Sequence, residues 1–151
     1  MSTDQAEQVS GIEMSEAEID EFLSERGHGI LSLARDSETY GMPMSFGYDG
    51  DRLFVQFITF GEHSKKGEFL EGTERACFTV YDVETRFKWR SVVVTGTLFE
   101  VPETEKQYAE DTLEDNGWFP NIFPPTEPMS GVQRVAMAVE EATGRKGPEY
   151  Q

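Results

Sequence analysis

Apolar and polar residues alternate with a period of two along much of the chain from residue 28 onward. Three such stretches, "HGILSLARD", "TYGMPMSFGYDG" and "RLFVQFITF", are separated by turn-forming residues at positions 36–37 and 49–51. Because successive side chains of a β-strand point to opposite faces, this period predicts three antiparallel strands with one buried face. The segments "RACFTVYDV" and "KWRSVVVTGTLFEV" are rich in β-branched and aromatic residues and predict two more strands.

Helices are few in comparison. The capping box "SEAE" predicts a helix that begins at Ser15 and stops at Gly27, and residues 103–115 are also typical of a helix. The segment "VQRVAMAVEEATGRKG" fits either a helix or a strand, because its apolar residues match both periods. With so many strands, a mainly β fold is expected, and closing the sheet into a barrel would remove its exposed edges.

Length and charge limit the organisation and the partners. The 151 residues fit one domain, expected over 14–147, between an acidic tail at 1–13 and a short tail at 148–151. A net charge of −16 makes nucleic acid and anionic membranes poor partners. Since no secretory signal and no membrane-length apolar run is found, a cytoplasmic location is expected. Scarce lysine in an acidic chain suggests a halophilic source, although an ordinary acidic mesophile protein has the same composition.

Several familiar chemical motifs are missing. The sequence has no glycine-rich nucleotide loop and no GxSxG nucleophile elbow. The two histidines, His28 and His63, lack metal-ligand spacing, so no metal site is expected. Cys77 is the only cysteine and cannot form an internal disulfide. Any chemistry would therefore depend on a bound cofactor.

A basic pair stands out at residues 63–70, "HSKKGEFL". Ser64 suits the N-cap of a short helix running to Gly72, which places Lys65 and Lys66 in the first turn. Two lysines there oppose the helix dipole, but a bound phosphate reverses the sign of that interaction, and His63 is a further possible donor. The alternative is that nearby glutamates simply neutralise two solvated lysines.

The order of these segments resembles the FMN-binding split barrels of the pyridoxamine 5′-phosphate oxidase-like superfamily. The likeness is carried by "GHGILSLARD", by "PMSF" at 43–46, by "HSKKGEFLEGTERACFTVYDV" and by "WRSVVVTG" at 89–96. The resemblance implies a homodimer of six-stranded antiparallel split barrels, Greek-key-like, with FMN in two clefts at the interface. It also favours a strand over residues 134–141.

The resemblance further implies which residues contact the cofactor. The FMN phosphate would be held near His63 by Ser64, Lys65 and Lys66, and the isoalloxazine would be lined by Met44, Ser45, Phe46, Gln56, Phe57 and Ile58. Arg90, Ser91 and Val92 would approach the flavin from the other subunit, with Trp89 and Trp118 as pocket aromatics. The apolar, proline-rich stretch 116–131, which contains Trp118, is expected to pack on the cofactor, a partner subunit or the barrel wall.

The function implied is that of an FMN-binding oxidoreductase acting on a small molecule, with NAD(P)H as a possible donor. Related split barrels use deazaflavin or haem, or bind flavin without turnover, and these alternatives stay open. Relatives that resemble nitroimidazole reductases carry a histidine in the third strand, where this chain has Gln56. No catalytic acid or base is identified from the sequence.

Overall fold

The computed structural model describes residues 10–60, 65–116 and 129–150. The strands are β1 (Ile12–Glu13), β2 (His28–Arg35), β3 (Glu38–Ser45), β4 (Gly47–Tyr48), β5 (Arg52–Phe60), β6 (Arg75–Thr85), β7 (Lys88–Glu100) and β8 (Met129–Lys146). The helices are α1 (Glu16–Glu25), α2 (Lys65–Gly72) and α3 (Lys106–Asn116), with 3₁₀ turns at Glu103–Glu105 and Pro148–Tyr150.

The strands form one antiparallel sheet in the order β3-β2-β6-β7-β8-β5-β4, with β1 added on β8. The edge strand β3 contacts β5 near the opposite edge, so the sheet curls into a split barrel. The prediction of a mainly β split barrel is confirmed, and two-residue strands β1 and β4 supplement its six long strands. The third predicted strand, β5, pairs with β4 across the turn at 49–51, and its other edge pairs with β8.

The 18-residue strand β8 organises the barrel. Its first part pairs with β5 and its second part pairs with β7, with a register shift in the β7 pairing between Thr95 and Gly96. The segment that periodicity left undecided is therefore a strand, and it extends well beyond residues 134–141. The backbone of residues 135–138 is paired on both sides, with β5 and with β7. A helix in the same place would leave these strand partners unmatched.

The predicted turns have the expected backbone. Asp36 and Ser37 have φ values of 48° and 68°, and this left-handed pair closes the β2–β3 hairpin. Gly50 has a φ of 101°, which a residue with a Cβ adopts only with strain. The Asp49 carboxylate accepts hydrogen bonds from the backbone N–H groups of Asp51 (2.9 Å) and Arg52 (2.7 Å) and thereby fixes this second turn.

Helix α1 closes one end of the barrel. Its capping box is formed as predicted, because the N–H of Glu18 donates to the Ser15 hydroxyl and the N–H of Ser15 donates to the Glu18 carboxylate, both at 3.2 Å. Ile19, Phe22 and Leu23 of this helix are buried. Among the described residues, no helix combines the length and hydropathy needed to cross a membrane.

The main core lies inside the curled sheet and contains most of the large buried side chains. Phe46 and Phe78, both almost fully buried, meet edge to face with ring centroids 5.0 Å apart. A smaller cluster of Phe54, Val101, Ala109 and Ala136 lies between the sheet and α3. Both faces of the β5–β8 pair are consequently covered at this point, the inner face by the core and the outer face by α3.

Candidate functional site

Helix α2 begins at Lys65, so Lys65 and Lys66 are the first two residues of its first turn, as predicted. The free N–H groups at this helix end carry a partial positive charge of about half a unit. His63, Ser64 and Trp118, which the sequence also assigned to the site, lie outside the described residues. The side chains of Ile58, Lys65 and Lys66 lie outside them as well.

Packing on the sheet fixes helix α2. Phe69 is buried, and its ring lies 5.5 Å from that of Tyr40. The Thr73 hydroxyl just after the helix donates to the Phe69 carbonyl (2.5 Å) and accepts from the N–H of Ala34 (3.3 Å). These contacts tie the helix to β2 and β3.

The first turn of α2 contains one acid, Glu68. The Glu68 carboxylate lies 3.7 Å from the guanidinium of Arg35 on β2. The side chain of Arg35 also passes so close to Gly72 that a Cβ there would lie 2.6 Å from it. Because Arg35 pairs with Glu68, this carboxylate does not neutralise the positive end of α2, which is therefore suited to binding an anion.

Strand alternation divides the predicted flavin-lining residues of β3 and β5 into two sets. Met44, Phe46 and Phe57 are 3%, 0% and 4% exposed and belong to the core. Ser45 and Gln56 have the opposite direction, since successive side chains of a strand alternate between faces. Gln56 is half-buried, whereas Ser45 is only 6% exposed. A ligand outside the barrel would therefore meet the side chain of Gln56, with Ser45 covered beneath the surface.

The predicted residues of β7 divide in the same way. Val92 is fully buried in the core, whereas Trp89 and Ser91 are partly exposed on the opposite face. A Cβ on Gly11 would lie 2.6 Å from the Trp89 ring, and the N–H of Gly147 donates to the Trp89 carbonyl (2.8 Å). Trp89 is therefore packed between the segments that precede α1 and follow β8.

Arg90 belongs to a charged cluster at the end of the barrel. One of its terminal nitrogens lies 2.9 Å from the Asp82 carboxylate, which also pairs with Arg26 at 2.8 Å. The Arg90 guanidinium lies between the rings of Phe22 and Tyr150, 4.7 Å and 4.5 Å from their centroids. Burial alone would lower the pKa of Arg90, but the hydrogen bond and charge of Asp82 raise it, so Arg90 stays cationic.

A pocket of about 100 Å³ opens beside this cluster. It is lined by Met14, Glu18, Glu21, Phe22, Arg90, Lys146 and Tyr150. The Lys146 ammonium donates to the Glu18 carboxylate, and this hydrogen bond, helped by the backbone N–H of Ser15, lowers the pKa of Glu18. Because the two cations of the pocket each have a carboxylate partner, the pocket is polar but close to neutral.

The structure does not bring all of the predicted residues together within one chain. Arg90 lies opposite Lys146 on β8, whereas Gln56 lies opposite Arg134, twelve residues earlier on the same strand. At about 3.3 Å per residue this is a path of roughly 40 Å along the strand. The β5 group and the β7 group of one chain are therefore at different ends of the barrel.

One polar residue near Gln56 was missed by the sequence reasoning. Arg134 is directly opposite Gln56, its side chain is 20% exposed, and it hydrogen-bonds Glu110 of α3. A lone arginine within the apolar run "VQRVAMAV" was the available signal, but its importance depended on recognising that run as a strand beside β5.

Comparison with known proteins decides the family. A family model described as pyridoxamine 5′-phosphate oxidase matches residues 15–146. The chain belongs to the pyridoxamine 5′-phosphate oxidase family. This assignment confirms the resemblance inferred from the sequence, and the matched region includes all of α1 to β8.

Individual proteins are similar to this chain as well. An uncharacterized protein of Rhizobium meliloti (strain 1021) is 27% identical over 126 residues, which is 76% of this chain and 81% of that protein. A FAD-binding protein from Mesorhizobium loti is 21% identical with a TM-score of 0.68, covering 89% of this chain and 95% of that one. A FAD- and haem-binding protein from Mycobacterium smegmatis is 19% identical with a TM-score of 0.67, covering 89% and 72%. At these identities the two solved structures establish the shared fold.

Proposed function

We propose that this member of the pyridoxamine 5′-phosphate oxidase family is a dimeric FMN-binding oxidoreductase that acts on a small molecule. The observation that carries the proposal is that α2 begins at Lys65, after a four-residue connection from the end of β5. A helix N-terminus with two lysines in its first turn is a strong anion site in a chain whose net charge is −16.

The donors present fit a phosphate. Two ammonium groups and the first N–H groups of α2 all belong to one helical turn, and Glu68 of that turn is paired with Arg35. Without an anion, the lysines oppose the helix dipole at a cost of a few tenths of a kcal/mol each. A phosphate dianion changes each of these repulsive interactions into a charge-assisted hydrogen bond.

A flavin, when bound, supplies hydride or electron exchange with the small-molecule substrate. The residues of this chain then bind and orient it. The first turn of α2 would hold the phosphate, and Gln56 would present a polar side chain outside the barrel wall. The wall itself, built on Met44 and Phe57, would exclude water from the covered side of the ring.

A second copy of the chain would complete the site, because one chain places Gln56 and Arg90 at different ends of the barrel. The surface proposed for this contact, here the neutral face, is the outer side of β2, β6 and β7. Arg75 at the start of β6 is charged and pairs with Glu140 on β8 at 2.8 Å. The neutral face is the uncharged group beyond it: Ile30, Ser32, Cys77, Thr79, Tyr81, Val83, Ser91, Val93 and Thr95. Tyr81 and Val83 are 54% and 65% exposed, a large exposure for side chains of this kind, and they lie where β6 extends beyond its pairing with β2.

A copy of the same chain can approach most easily at the neutral face. Two molecules that each carry a charge of −16 repel one another over most of their surfaces. Apolar and hydroxyl-bearing residues minimise that repulsion where the two molecules meet, and burying Tyr81 and Val83 contributes hydrophobic stabilisation.

Two of the similar solved structures are described as binding FAD, or FAD and haem, so FAD and haem are the alternatives to FMN. The test is to record the absorption spectrum of the purified protein, to identify any released cofactor by mass spectrometry, and to titrate the cofactor-free protein with FMN, FAD and haem. Tightest binding of FMN supports the proposal. A colourless protein that takes up none of the three would rule it out, and tighter binding of haem would replace flavin with haem.

A double variant tests the role of the basic pair. We expect Lys65→Ala with Lys66→Ala to weaken FMN binding at least tenfold, about 1.4 kcal/mol, while the melting temperature changes little. Lys106→Ala is the matched control, because Lys106 is also the first residue of a helix and pairs with Glu103 at 2.6 Å. If the double variant and the wild type bound FMN with equal affinity, the two lysines would be ordinary solvated surface residues.

A further inference from the structure

Arg134 lies beside Gln56 on the outer face of the barrel. The two residues are directly opposite in the β5–β8 pairing, and opposite residues of an antiparallel pair project to the same side. Phe54 and Ala136, two positions along each strand on that same side, are packed beneath α3. On this outer face, the pair Gln56–Arg134 is therefore the next neighbour of the pair Phe54–Ala136, which α3 covers.

The hydrogen bonds of Arg134 are incomplete. One terminal nitrogen donates to the Glu110 carboxylate, but the Nε–H is buried and has no hydrogen-bond partner among the residues that the structure describes. A buried donor without an acceptor costs about 1–3 kcal/mol, so such groups in folded proteins usually have a partner. The Nε atoms of Arg26 and Arg90 are also buried without a partner, but both of those arginines share the Asp82 carboxylate. Arg134 differs from them because it lies beside Gln56, where a bound molecule would supply an acceptor.

We propose that the Arg134 Nε–H donates a hydrogen bond to a carbonyl oxygen of the flavin ring, which makes Arg134 a cofactor-positioning residue. This inference rests on the proposed function and extends it. Glu110 neutralises the guanidinium and repels a second anion, so a neutral carbonyl acceptor fits better than a phosphate. The phosphate has its own site at the start of α2.

Arg52 provides a matched control within the same chain. Like Arg134 it extends from the sheet toward the α3 side, where it lies 3.1 Å from Glu105, and its side chain is 24% exposed against 20% for Arg134. The Nε of Arg52, however, lies 3.5 Å from the Asp49 carboxylate. The two arginines therefore share the structural role, and only Arg134 has the unpartnered donor.

The experiment compares R134K, R134Q and R52K in titrations with FMN and with riboflavin, followed by flavin fluorescence and by the visible absorption band. R134K keeps a cation for Glu110 but removes the Nε–H, so we expect a near-wild-type melting temperature and about tenfold weaker binding of both flavins. R134Q should lose affinity to a similar extent and also lower the melting temperature. R52K should bind both flavins like the wild type.

Each other result has a definite meaning. Unchanged affinity and an unchanged absorption band in R134K would overturn the inference while leaving FMN binding by the wild type intact. An equal loss in R52K would show that ion pairs between the sheet and the 103–116 region, and not the unpartnered donor, are responsible. If R134K bound FMN more weakly but riboflavin equally well, Arg134 would contact the phosphate, which riboflavin lacks, and the carbonyl contact would be refuted. A wild type that binds neither flavin would instead overturn the proposed function itself.

Discussion

Asp82 joins two arginines at the end of the barrel, and replacing it by asparagine tests whether that cluster stabilises the fold. The carboxylate lies 2.8 Å from Arg26 and 2.9 Å from Arg90, so it links the end of α1 to β6 and β7. Asp82→Asn keeps the shape of the side chain but removes its charge. Two partly buried guanidinium groups would then face each other with no compensating anion.

The magnitude follows from the exposure of the three side chains. Removing one member of a fully buried ion pair costs about 3–5 kcal/mol. The exposed fractions here are 15% for Asp82, 20% for Arg90 and 29% for Arg26, so water partly screens the remaining cations. We therefore expect a loss of about 2–3 kcal/mol, which corresponds to a drop in melting temperature of roughly 5–10 °C for a chain of this size.

Urea denaturation of the wild type and the variant, followed by circular dichroism, measures this loss. Glu84→Gln is the control, because Glu84 pairs with Lys88 at 3.0 Å between the same two strands but both side chains are far more exposed. The control should change stability by less than about 0.5 kcal/mol. If Asp82→Asn changed stability as little as the control, the assignment of a stabilising role to the cluster would be wrong.

Two further predictions concern pH and assembly. Burial and the hydrogen bond to Asp20 (2.5 Å) raise the pKa of Tyr48, so the stabilising contribution of its neutral hydroxyl is complete below about pH 10 and is lost as the pH rises further. Above about pH 10, urea unfolding should show that the wild type loses about 0.5–1 kcal/mol more stability per pH unit than Tyr48→Phe. Equal losses in the two proteins would contradict this prediction. Val93→Glu places a charge in the middle of the neutral face and should weaken the dimer at least tenfold in analytical ultracentrifugation, with Phe99→Glu, at an equally exposed position of the same strand, as the control. A wild type that sediments as a monomer, or equal weakening by both substitutions, would remove the neutral face as the interface.

Local signals predicted the parts of the fold that depend on neighbouring residues. The capping box at Ser15 and Glu18 and the start of α2 at Lys65 were all evident in the sequence and are all present. The turn at residues 36–37 was placed as well. Caps and tight turns are decided by the few residues that form them, since their hydrogen bonds run over three or four positions.

The candidate site was predictable only in part. The basic pair at the start of α2 could be read from "HSKKGEFL", because its chemistry lies within one helical turn. The proximity of Gln56 and Arg134 could not, since it depends on the pairing of two strands that are far apart in the chain. The family resemblance pointed to Arg90 but not to its position between Phe22 and Tyr150.

The amino-acid sequence by itself determined that this protein is mainly β, where most of its strands and helices begin, and that a cationic helix start would follow the third predicted strand. Tertiary structure decided that "VQRVAMAVEEATGRKG" is a strand, that β5 joins β8, and that the predicted residues of β5 and β7 lie at different ends of the barrel. The reason is physical: periodicity and capping act between neighbours in the sequence, whereas strand pairing depends on which distant segments bury each other's apolar faces.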